Sequence, residues 1–176
     1  MTTLPELETP RLVLRRLVTA DADFLVGLLN QPSFLENIGD RGVRNVEDAC
    51  RYLREGPWAM YEKHGFGLWH VAQKADGAAI GMCGLLKRDI LPDADVGYAL
   101  LPEFWGRGYA FEAAEATLRH GARKFGLRRV IGVVSEGNTG SIRVLEKLGM
   151  GFERMFAMRA DEPEVRLYGM DLPSGN

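Results

Sequence analysis

Hydrophobic and polar residues alternate along the chain at spacings that switch between those of strands and those of helices. Leucines alternate with arginines in residues 11–17, which predicts a first strand. Apolar residues then recur at helical spacing from Asp21, and Asn30 and Pro32 are expected to end this helix. A second helix is predicted to begin at Asn45, because asparagine is a favourable N-cap.

The rest of the chain continues this alternation of helices and strands. The second helix is predicted to end at Gly56-Pro57, and residues 58–63 extend the helical layer. The Asp76-Gly77 step favours a hairpin between the apolar segments on its two sides. In chain order, the remaining predicted elements are strands at 67–73, 79–86 and 95–101, a helix at 108–125, a strand at 128–135, a helix at 138–148, and strands at 152–159 and 164–170.

The predicted strand at 128–135 indicates how the sheet is organised. It is a nearly continuous apolar run, which is typical of a strand that is covered on both faces. Because it follows a helix, we expect it to lie parallel to the strand before it. Together the elements predict one α/β domain with a mixed sheet at 1–172, followed by a frayed tail at 173–176.

Composition and charge are those of an ordinary soluble domain, with 46% apolar residues, 26% charged residues and a net charge of -2. So small a charge creates no field that attracts nucleic acid or a membrane, and we expect neither as a partner. Five basic residues near the end of the helix at 108–125 complement its dipole, with a phosphate-binding patch as the alternative. They are Arg119, Arg123, Lys124, Arg128 and Arg129.

The cysteines and the N-terminal segment bear on the cellular compartment. Cys50 and Cys83 lie in apolar or helical contexts without metal-ligand spacing, which favours buried structural thiols over a disulfide or a metal site. Residues 1–16 lack the apolar core of a signal peptide, and no window approaches the roughly 18 apolar residues of a membrane span. We therefore expect a cytoplasmic protein that uses no metal.

The most informative segment runs from Tyr98 to Ala110, where a strand stops at Pro102 and a helix begins after two glycines. Gly106 and Gly108 allow a tight turn and a close approach to a ligand, while the first N–H groups of the helix remain unpaired. Such a helix start attracts phosphate. A turn that merely requires two glycines is the alternative. The dinucleotide-binding fingerprint is not matched, since its third glycine and its acidic residue are missing.

Two segments resemble signatures of the GNAT acyl-CoA N-acetyltransferase superfamily, in the branch of the bacterial ribosomal-protein N-terminal acetyltransferases. The family's coenzyme loop, Arg/Gln-x-x-Gly-x-Gly/Ala, is matched by residues 105–110. Trp105 departs from the first position, where the loop needs mainly a backbone N–H. The family's Asn-x-x-Ser/Ala helix is matched by residues 138–149, and the resemblance extends from Glu8 to Tyr168.

The resemblance implies a GNAT-like fold, with a mostly antiparallel mixed sheet, two splayed parallel central strands and helices on both faces. It also implies acetyl-CoA as co-substrate, with the pantetheine arm entering between the splayed strands. The N–H of Leu100 would bind the oxyanion, and Asn138 would either cap its helix alone or also bind the coenzyme arm. By the same resemblance, the coenzyme-binding residues are Leu100, Trp105, Gly106, Arg107, Gly108, Tyr109, Ala110, Asn138 and Ser141.

The resemblance is less complete for the groups that transfer protons. Many relatives carry a tyrosine as acid on the helix of the second signature, but Leu145 stands at that position. Ser141, three residues after Asn138, is the acid that we expect instead, with a capping or packing hydroxyl as the alternative. Asp95 stands where relatives often carry a glutamate and is the expected base. A solvated carboxylate at the start of a strand is the alternative for Asp95.

A weak base favours acceptors whose amine is already partly neutral. An α-amine with a pKa of about 8 is neutral to roughly a tenth at pH 7, whereas a lysine amine with a pKa of about 10.4 is neutral to less than a thousandth. We therefore expect direct transfer, through a ternary complex, to a primary amine of a protein N-terminus or a small molecule.

Other assignments remain open at this point. The alternative function is a non-catalytic acyl-CoA-binding sensor or interaction module, and a homodimer is neither required nor excluded. Aromatic residues of the N-terminal helices and the strands are expected to line the acceptor pocket, with core packing as the alternative for each. They are Phe34, Trp58, Phe66, Tyr98 and Phe152.

Overall fold

In the computed structural model, which describes residues 4–174, eight strands pair side by side in one sheet. They are β1 (Pro5–Glu8), β2 (Leu12–Arg16), β3 (Leu68–Gln73), β4 (Ala79–Leu86), β5 (Ala94–Leu100), β6 (Arg129–Ser135), β7 (Gly151–Ala157) and β8 (Glu164–Asp171). Their order across the sheet is β1-β2-β3-β4-β5-β6-β8-β7, and only β5 and β6 run parallel among the described strands. The predicted mixed sheet is confirmed. The short strand β1 was not predicted, because four residues are too few to display an alternating pattern.

Six α-helices cover the two faces of this sheet in the described part of the chain. They are α1 (Ala22–Leu29), α2 (Pro32–Asn37), α3 (Val46–Leu53), α4 (Ala59–His64), α5 (Tyr109–Phe125) and α6 (Thr139–Lys147). The predicted N-cap of α3 is confirmed, because the side chain of Asn45 accepts a hydrogen bond from the backbone N–H of Asp48. This cap satisfies one of the free donors at the helix start.

Two prolines mark helix boundaries differently from the prediction. The helix α1 ends before Asn30 as expected, but Pro32 also begins α2, where its fixed φ suits the first helical position. The predicted helix end at Gly56-Pro57 is wrong. The chain instead passes through a π-helical turn at Arg54–Trp58 directly into α4. This wider turn alters the hydrogen-bond pattern locally, so the missing N–H of Pro57 does not break the helical path.

Both faces of the sheet are buried, because successive residues of a strand point to opposite sides. On one face, α5 packs against strand residues that include Trp69 and Val96, and on the other, α1 and α3 pack against Met82. The predicted helices on both faces are therefore confirmed. Cys83 is buried beside α5 as predicted, whereas Cys50 is only half-buried.

The central pair of strands separates soon after it forms. The parallel pairing of β5 with β6 consists of Ala94 opposite Val130 and Asp95 opposite Ile131, although both strands continue, β5 to Leu100. Beyond this short contact a gap opens between the two strands. The splayed parallel strands expected from the sequence are therefore present.

The pairing register of β5 with β4 determines which backbone groups face this gap. The backbone N–H of Leu101 donates to the carbonyl of Ile80 across the ladder, with a distance of 2.9 Å between N and O. In an antiparallel ladder, the N–H groups of successive residues point alternately to the two sides. The N–H of Leu100 therefore points away from β4, toward the gap beside β6.

The chain leaves the sheet after β8. Leu172 is buried, Pro173 and Ser174 are exposed, and residues 175–176 of the predicted tail lie outside the described residues. No helix within 4–174 combines the length and the apolar character needed to cross a membrane. Over the same residues, no cluster of three or more His, Cys, Asp or Glu side chains is placed to hold a metal ion.

One close approach between β4 and the residue preceding β3 generates a stability prediction. A Cβ at Gly84 would overlap the backbone carbonyl oxygen of Gly67, whereas a Cβ at Gly27, in the exposed face of α1, would meet no atom within 4 Å. We expect Gly84→Ala to lower the free energy of unfolding by about 3 kcal/mol, because a backbone atom cannot move aside. Gly27→Ala should raise it by about 1 kcal/mol through helix propensity. Urea unfolding of both variants checks this, and equal effects would contradict the close packing of β4.

Candidate active site

The glycine loop before α5 leaves the start of that helix open. Gly106 and Gly108 have φ angles of 72° and 80°, a left-handed conformation that glycine adopts without strain. No side chain caps α5, whose first residue is Tyr109. The first N–H groups of the helix therefore lack intrahelical partners, and together with the helix dipole they form a favourable position for an anion.

Trp105 behaves differently from the expectation that it supplies a backbone N–H. That N–H donates to the carbonyl of Pro102 at 3.1 Å and is not free for a ligand. The indole N–H instead donates to the carbonyl of Leu100, with an N···O distance of 3.0 Å. The side chain thus ties the loop to the end of β5, although Trp105 is 53% exposed.

The start of α6 is joined to β5 through Tyr98. The side chain of Asn138 accepts a hydrogen bond from the N–H of Ser141 at 3.2 Å, so its predicted capping role is confirmed. The hydroxyl of Ser141 donates to the hydroxyl of Tyr98, which in turn donates to the carbonyl of Ser141, both at 3.1 Å. Burial raises the pKa of Tyr98 to about 12, although the contact with Ser141 opposes this, so the phenol keeps its proton at neutral pH.

A cleft of about 910 Å³ passes through the gap between β5 and β6. Its lining includes Asp95 and Tyr98 on β5, together with Asn138 and Ser141 at the start of α6. Phe34, from the helices on the opposite face, also lines it. The cleft therefore connects the two faces of the sheet and brings together three of the predicted site residues, Asp95, Asn138 and Ser141.

The remaining predicted coenzyme residues lie beside this cleft. Of the described residues, Leu100 and the loop 105–110 do not line the cleft itself. Leu100 immediately follows the cleft residue Ala99, and the indole of Trp105 connects it to the loop. The predicted site residues thus form two adjoining groups, an open helix start and a cleft, that meet at the end of β5.

Asp95 is the most unusual group in the cleft. It is only 2% exposed, and burial raises its pKa to about 6 while the guanidinium of Arg88 lowers it. The Nε of Arg88 lies 3.5 Å from Oδ1 of Asp95, within reach of charge attraction but without hydrogen-bond geometry. This Oδ1 therefore has no hydrogen-bond partner among the described residues. The alternative of a solvated carboxylate is wrong, because the strand start is covered by its neighbours.

The aromatic residues expected at the acceptor pocket divide into two groups. Phe34 and Tyr98 line the cleft. Trp58 instead donates its indole N–H to the carbonyl of Leu17, at an N···O distance of 2.8 Å. The ring of Phe66 packs in the core, and Phe152 is exposed on β7.

Residues that the sequence did not single out complete the cleft. Arg88 and Tyr52 line it, and the hydroxyl of Ser135 donates to the carbonyl of Asn37, which connects the end of β6 to α2. The alternation of side chains along β5 could have indicated that Tyr98 faces the same side as Leu100. No signal indicated Arg88 or Tyr52, since both come from segments that lack a motif. Charged residues at the mouth carry both signs, namely Asp40, Arg41, Asp89, Arg159 and Glu162.

Known proteins share both the sequence pattern and the fold. Residues 11–151 match the family model described as Acetyltransferase (GNAT) domain. The chain is 30% identical over 154 residues to the uncharacterized protein YkkB of Bacillus subtilis, covering 85% of this chain and 87% of that protein. The crystal structure of an acetyltransferase from Agrobacterium tumefaciens matches with a TM-score of 0.80 and 27% identity, over 97% of this chain and 96% of that one.

A structure with bound coenzyme has the same fold. RimL, a ribosomal L7/L12 α-N-protein acetyltransferase in complex with coenzyme A, matches with a TM-score of 0.79 at 18% identity, over 93% of this chain and 96% of that one. At this identity the likeness concerns the fold alone. The family match, by contrast, extends from just before β2 to the start of β7. The protein therefore belongs to the GNAT acetyltransferase family and is an acetyl-CoA-dependent acyltransferase.

Proposed function

We propose that the protein transfers the acetyl group of acetyl-CoA directly to an α-amine, of a protein N-terminus or a small molecule, within a ternary complex. The observation that carries this proposal is the buried carboxylate of Asp95, whose Oδ1 is unpartnered in the cleft between β5 and β6. An unsatisfied buried carboxylate destabilises a fold, and such a group is expected where it has a function that compensates for this cost. Asn138 and Ser141 line the same cleft from the opposite face of the sheet.

The coenzyme fits the open start of α5. The N–H groups around Gly108 and Tyr109 bind the pyrophosphate, and the glycines let it approach the backbone closely. The loop residues Gly106, Arg107 and Ala110 complete this contact, and Trp105 holds the loop against Leu100. The pantetheine arm then lies in the gap between β5 and β6, near the amide of Asn138.

Leu100 provides the donor for the acetyl oxygen. Its N–H points into the gap, and its carbonyl is held by the indole of Trp105. A backbone donor fixed in this way stabilises negative charge without having to reorient during the reaction, and one such donor contributes about 3 kcal/mol. Gly81 lies opposite Leu100, and a side chain at Gly81 would overlap the backbone of β5. The close pairing therefore fixes the position of this donor.

Asp95 takes up the proton of the attacking amine through water. With a pKa of about 6, the carboxylate is mostly ionised at pH 7 and accepts a proton more readily than an ordinary aspartate. It remains a weak base. This supports an α-amine, which is neutral to about a tenth at pH 7, over a lysine amine, which is neutral to less than about a thousandth.

Ser141 gives a proton to the departing thiolate. Its hydroxyl donates to the hydroxyl of Tyr98, which is protonated at neutral pH. When Ser141 turns and gives its proton to the sulfur, the phenol gives its own proton to Ser141, and solvent reprotonates the phenolate. The phenol of Tyr98 thereby supplies a proton donor at the start of α6, which the apolar and buried Leu145 cannot do. A thiol with a pKa of about 8.5 is a good leaving group, so a weak acid suffices at this position.

The proposed base generates a prediction for pH dependence and stability. In Asp95→Asn, kcat/KM at pH 8 should fall by about 100-fold, the usual contribution of a general base. The acidic limb of the wild-type profile, with its midpoint near pH 6, should disappear. Burial holds the pKa of Asp95 near 6, above the ordinary aspartate value of about 3.8, so ionisation of the carboxylate lowers the stability of the fold progressively between about pH 4 and pH 6, and the full cost is present above pH 6. The variant should therefore be more stable than wild type at pH 8, by at most about 3 kcal/mol.

Two measurements check this prediction, the pH profile of kcat/KM and the melting temperature at pH 8 and pH 4. At pH 4 the difference in stability should be nearly lost, because the wild-type carboxyl is then protonated in the fold. Asp89→Asn, at the exposed mouth of the same cleft, is the matched control and should leave both quantities unchanged. An acidic limb that persists in Asp95→Asn would exclude Asp95 as the base.

The proposed acceptor class generates a second prediction. Two sets of peptides are compared at pH 7, one whose only amine is the free α-amine and one that is N-acetylated and whose only amine is a single lysine. The first set should be acetylated with a kcat/KM at least about tenfold higher, because more of the α-amine is neutral. The advantage should shrink as pH rises toward 9. Mass spectrometry of the products identifies the modified amine. A preference for lysine side chains at pH 7 would contradict the proposal.

A third prediction separates the enzyme from a non-catalytic coenzyme sensor. Wild-type protein should release free thiol from acetyl-CoA in the presence of amine acceptors, and coenzyme A at 100 times its dissociation constant should add about 2.7 kcal/mol to the free energy of unfolding. Gly108→Trp should lose both effects, because a side chain is strained at this positive φ and meets the guanidinium of Arg11, so the loop cannot keep the conformation that binds the pyrophosphate. Stabilisation by coenzyme without thiol release across a broad amine panel would favour the sensor.

A further inference from the structure

The side chain of Arg11, in the turn before β2, contacts the loop 105–110 on the side opposite the proposed pyrophosphate position. Its Nη1 donates to the carbonyl of Arg107 at 2.9 Å, and its Nε donates to Oε2 of Glu112 at 2.6 Å. Its guanidinium also lies over the ring of Tyr109, 4.3 Å from the centroid. One side chain thus contacts three successive parts of the loop and of the first turn of α5.

The contact with Arg107 fixes the direction of a neighbouring donor. A trans peptide is planar, and its C=O and N–H groups point in opposite directions. None of the described peptide bonds is cis. Because the carbonyl of Arg107 points to Arg11, the N–H of Gly108 points away from Arg11, to the opposite side of the loop.

The contact with Glu112 neutralises a charge that is unfavourable for phosphate binding. The carboxylate of Glu112 lies in the first turn of α5, next to the proposed pyrophosphate position. Burial alone would raise its pKa, but hydrogen bonds from Thr9 and Arg11 lower it, so Glu112 is ionised at neutral pH. Without Arg11, this negative charge would repel a pyrophosphate at the same helix end.

Contacts of this kind contribute little to stability by themselves. The side chain of Arg11 is 45% exposed, and exposed ion pairs usually add less than about 1 kcal/mol. The last residue of β2 forms a closely matched ion pair. Arg16 bonds Glu6 at 2.8 Å, lies 4.9 Å from the ring centroid of Tyr61 and is 42% exposed, but it has no contact with the loop.

We propose that Arg11 is a positioning residue for the nucleotide half of the coenzyme. It holds the peptide between Arg107 and Gly108 with its N–H turned to the pyrophosphate, and it cancels the charge of Glu112. This role rests on the proposed binding of acetyl-CoA at the start of α5. It acts on ligands that carry a pyrophosphate and leaves the thioester half of the coenzyme unaffected.

The test compares two acetyl donors in Arg11→Met and in the matched variant Arg16→Met. For Arg11→Met, we expect KM for acetyl-CoA to rise about tenfold, equivalent to the loss of one hydrogen bond to a charged group, with kcat changed by less than about twofold. KM for S-acetylpantetheine, which lacks the pyrophosphate, should stay within about twofold. Arg16→Met should leave both KM values unchanged, while its melting temperature falls as much as that of Arg11→Met.

A second set of variants separates orientation from charge. Arg11→Met/Glu112→Gln should recover part of the affinity for acetyl-CoA, because the repelling carboxylate is gone, although the loop contact stays lost. Arg11→Lys keeps the charge and should give an intermediate KM for acetyl-CoA. This variant also replaces Arg11→Met in the test if the methionine variant folds poorly.

Three results would overturn the inference. An equal rise in KM for both donors would make Arg11 a general structural residue. An unchanged KM for acetyl-CoA in Arg11→Met, alongside saturable coenzyme binding by wild type, would refute the positioning role and leave the proposed function intact. Failure of wild type itself to bind coenzyme A in calorimetry would refute both.

Discussion

The separation of β5 from β6 is the constraint on which the rest of this structure depends. Two bridged residue pairs hold the strands together, and beyond Asp95 their facing backbone groups are free to bind a ligand. Unpaired strand edges are normally a liability, which proteins cover or block. Here the sheet stays intact because β5 is firmly paired to β4 and β6 to β8 along their whole lengths. The opening is thus confined to one line through the centre of the molecule.

The site combines groups that differ in what they cost the fold. The open start of α5 requires only glycines and a missing cap, and it places no unpaired charge in the interior. Asp95 is different, since a buried carboxylate with an unpartnered oxygen opposes folding whenever it is ionised. Arg88 offsets this only in part, because it lies too far away for a hydrogen bond. The stability of the surrounding sheet therefore compensates for this buried carboxylate.

Much of the fold followed from local patterns, and the site followed from them less completely. Strand alternation, the Asn45 cap and the glycine loop are short-range features, and each was recognisable in the sequence. The continuation of the helical path through Pro57 was not, because a π-helical turn depends on tertiary packing. The alternative of a solvated carboxylate at Asp95 was wrong for the same reason, because Asp95 is buried. Its cover comes from residues distant in the chain, and single-sequence periodicity carries no information about them.

The alternation of side chains along β5 places two sets of residues on opposite faces of the sheet, where each can change independently of the other. Ala99 and Asp95 face the α1 and α3 side, while Tyr98 and Leu100 face the α5 and α6 side. If the proposed site is correct, substitutions in α2 or in the loops at the cleft mouth change which amine is accepted and leave the groups that bind the coenzyme unaltered. Inserting or deleting one residue within β5 would move each of these side chains to the other face of the sheet, and the arrangement of residues on both faces would be lost at once. Lineages descended from this chain should thus diversify by point substitution and loop-length change around a central strand of constant length.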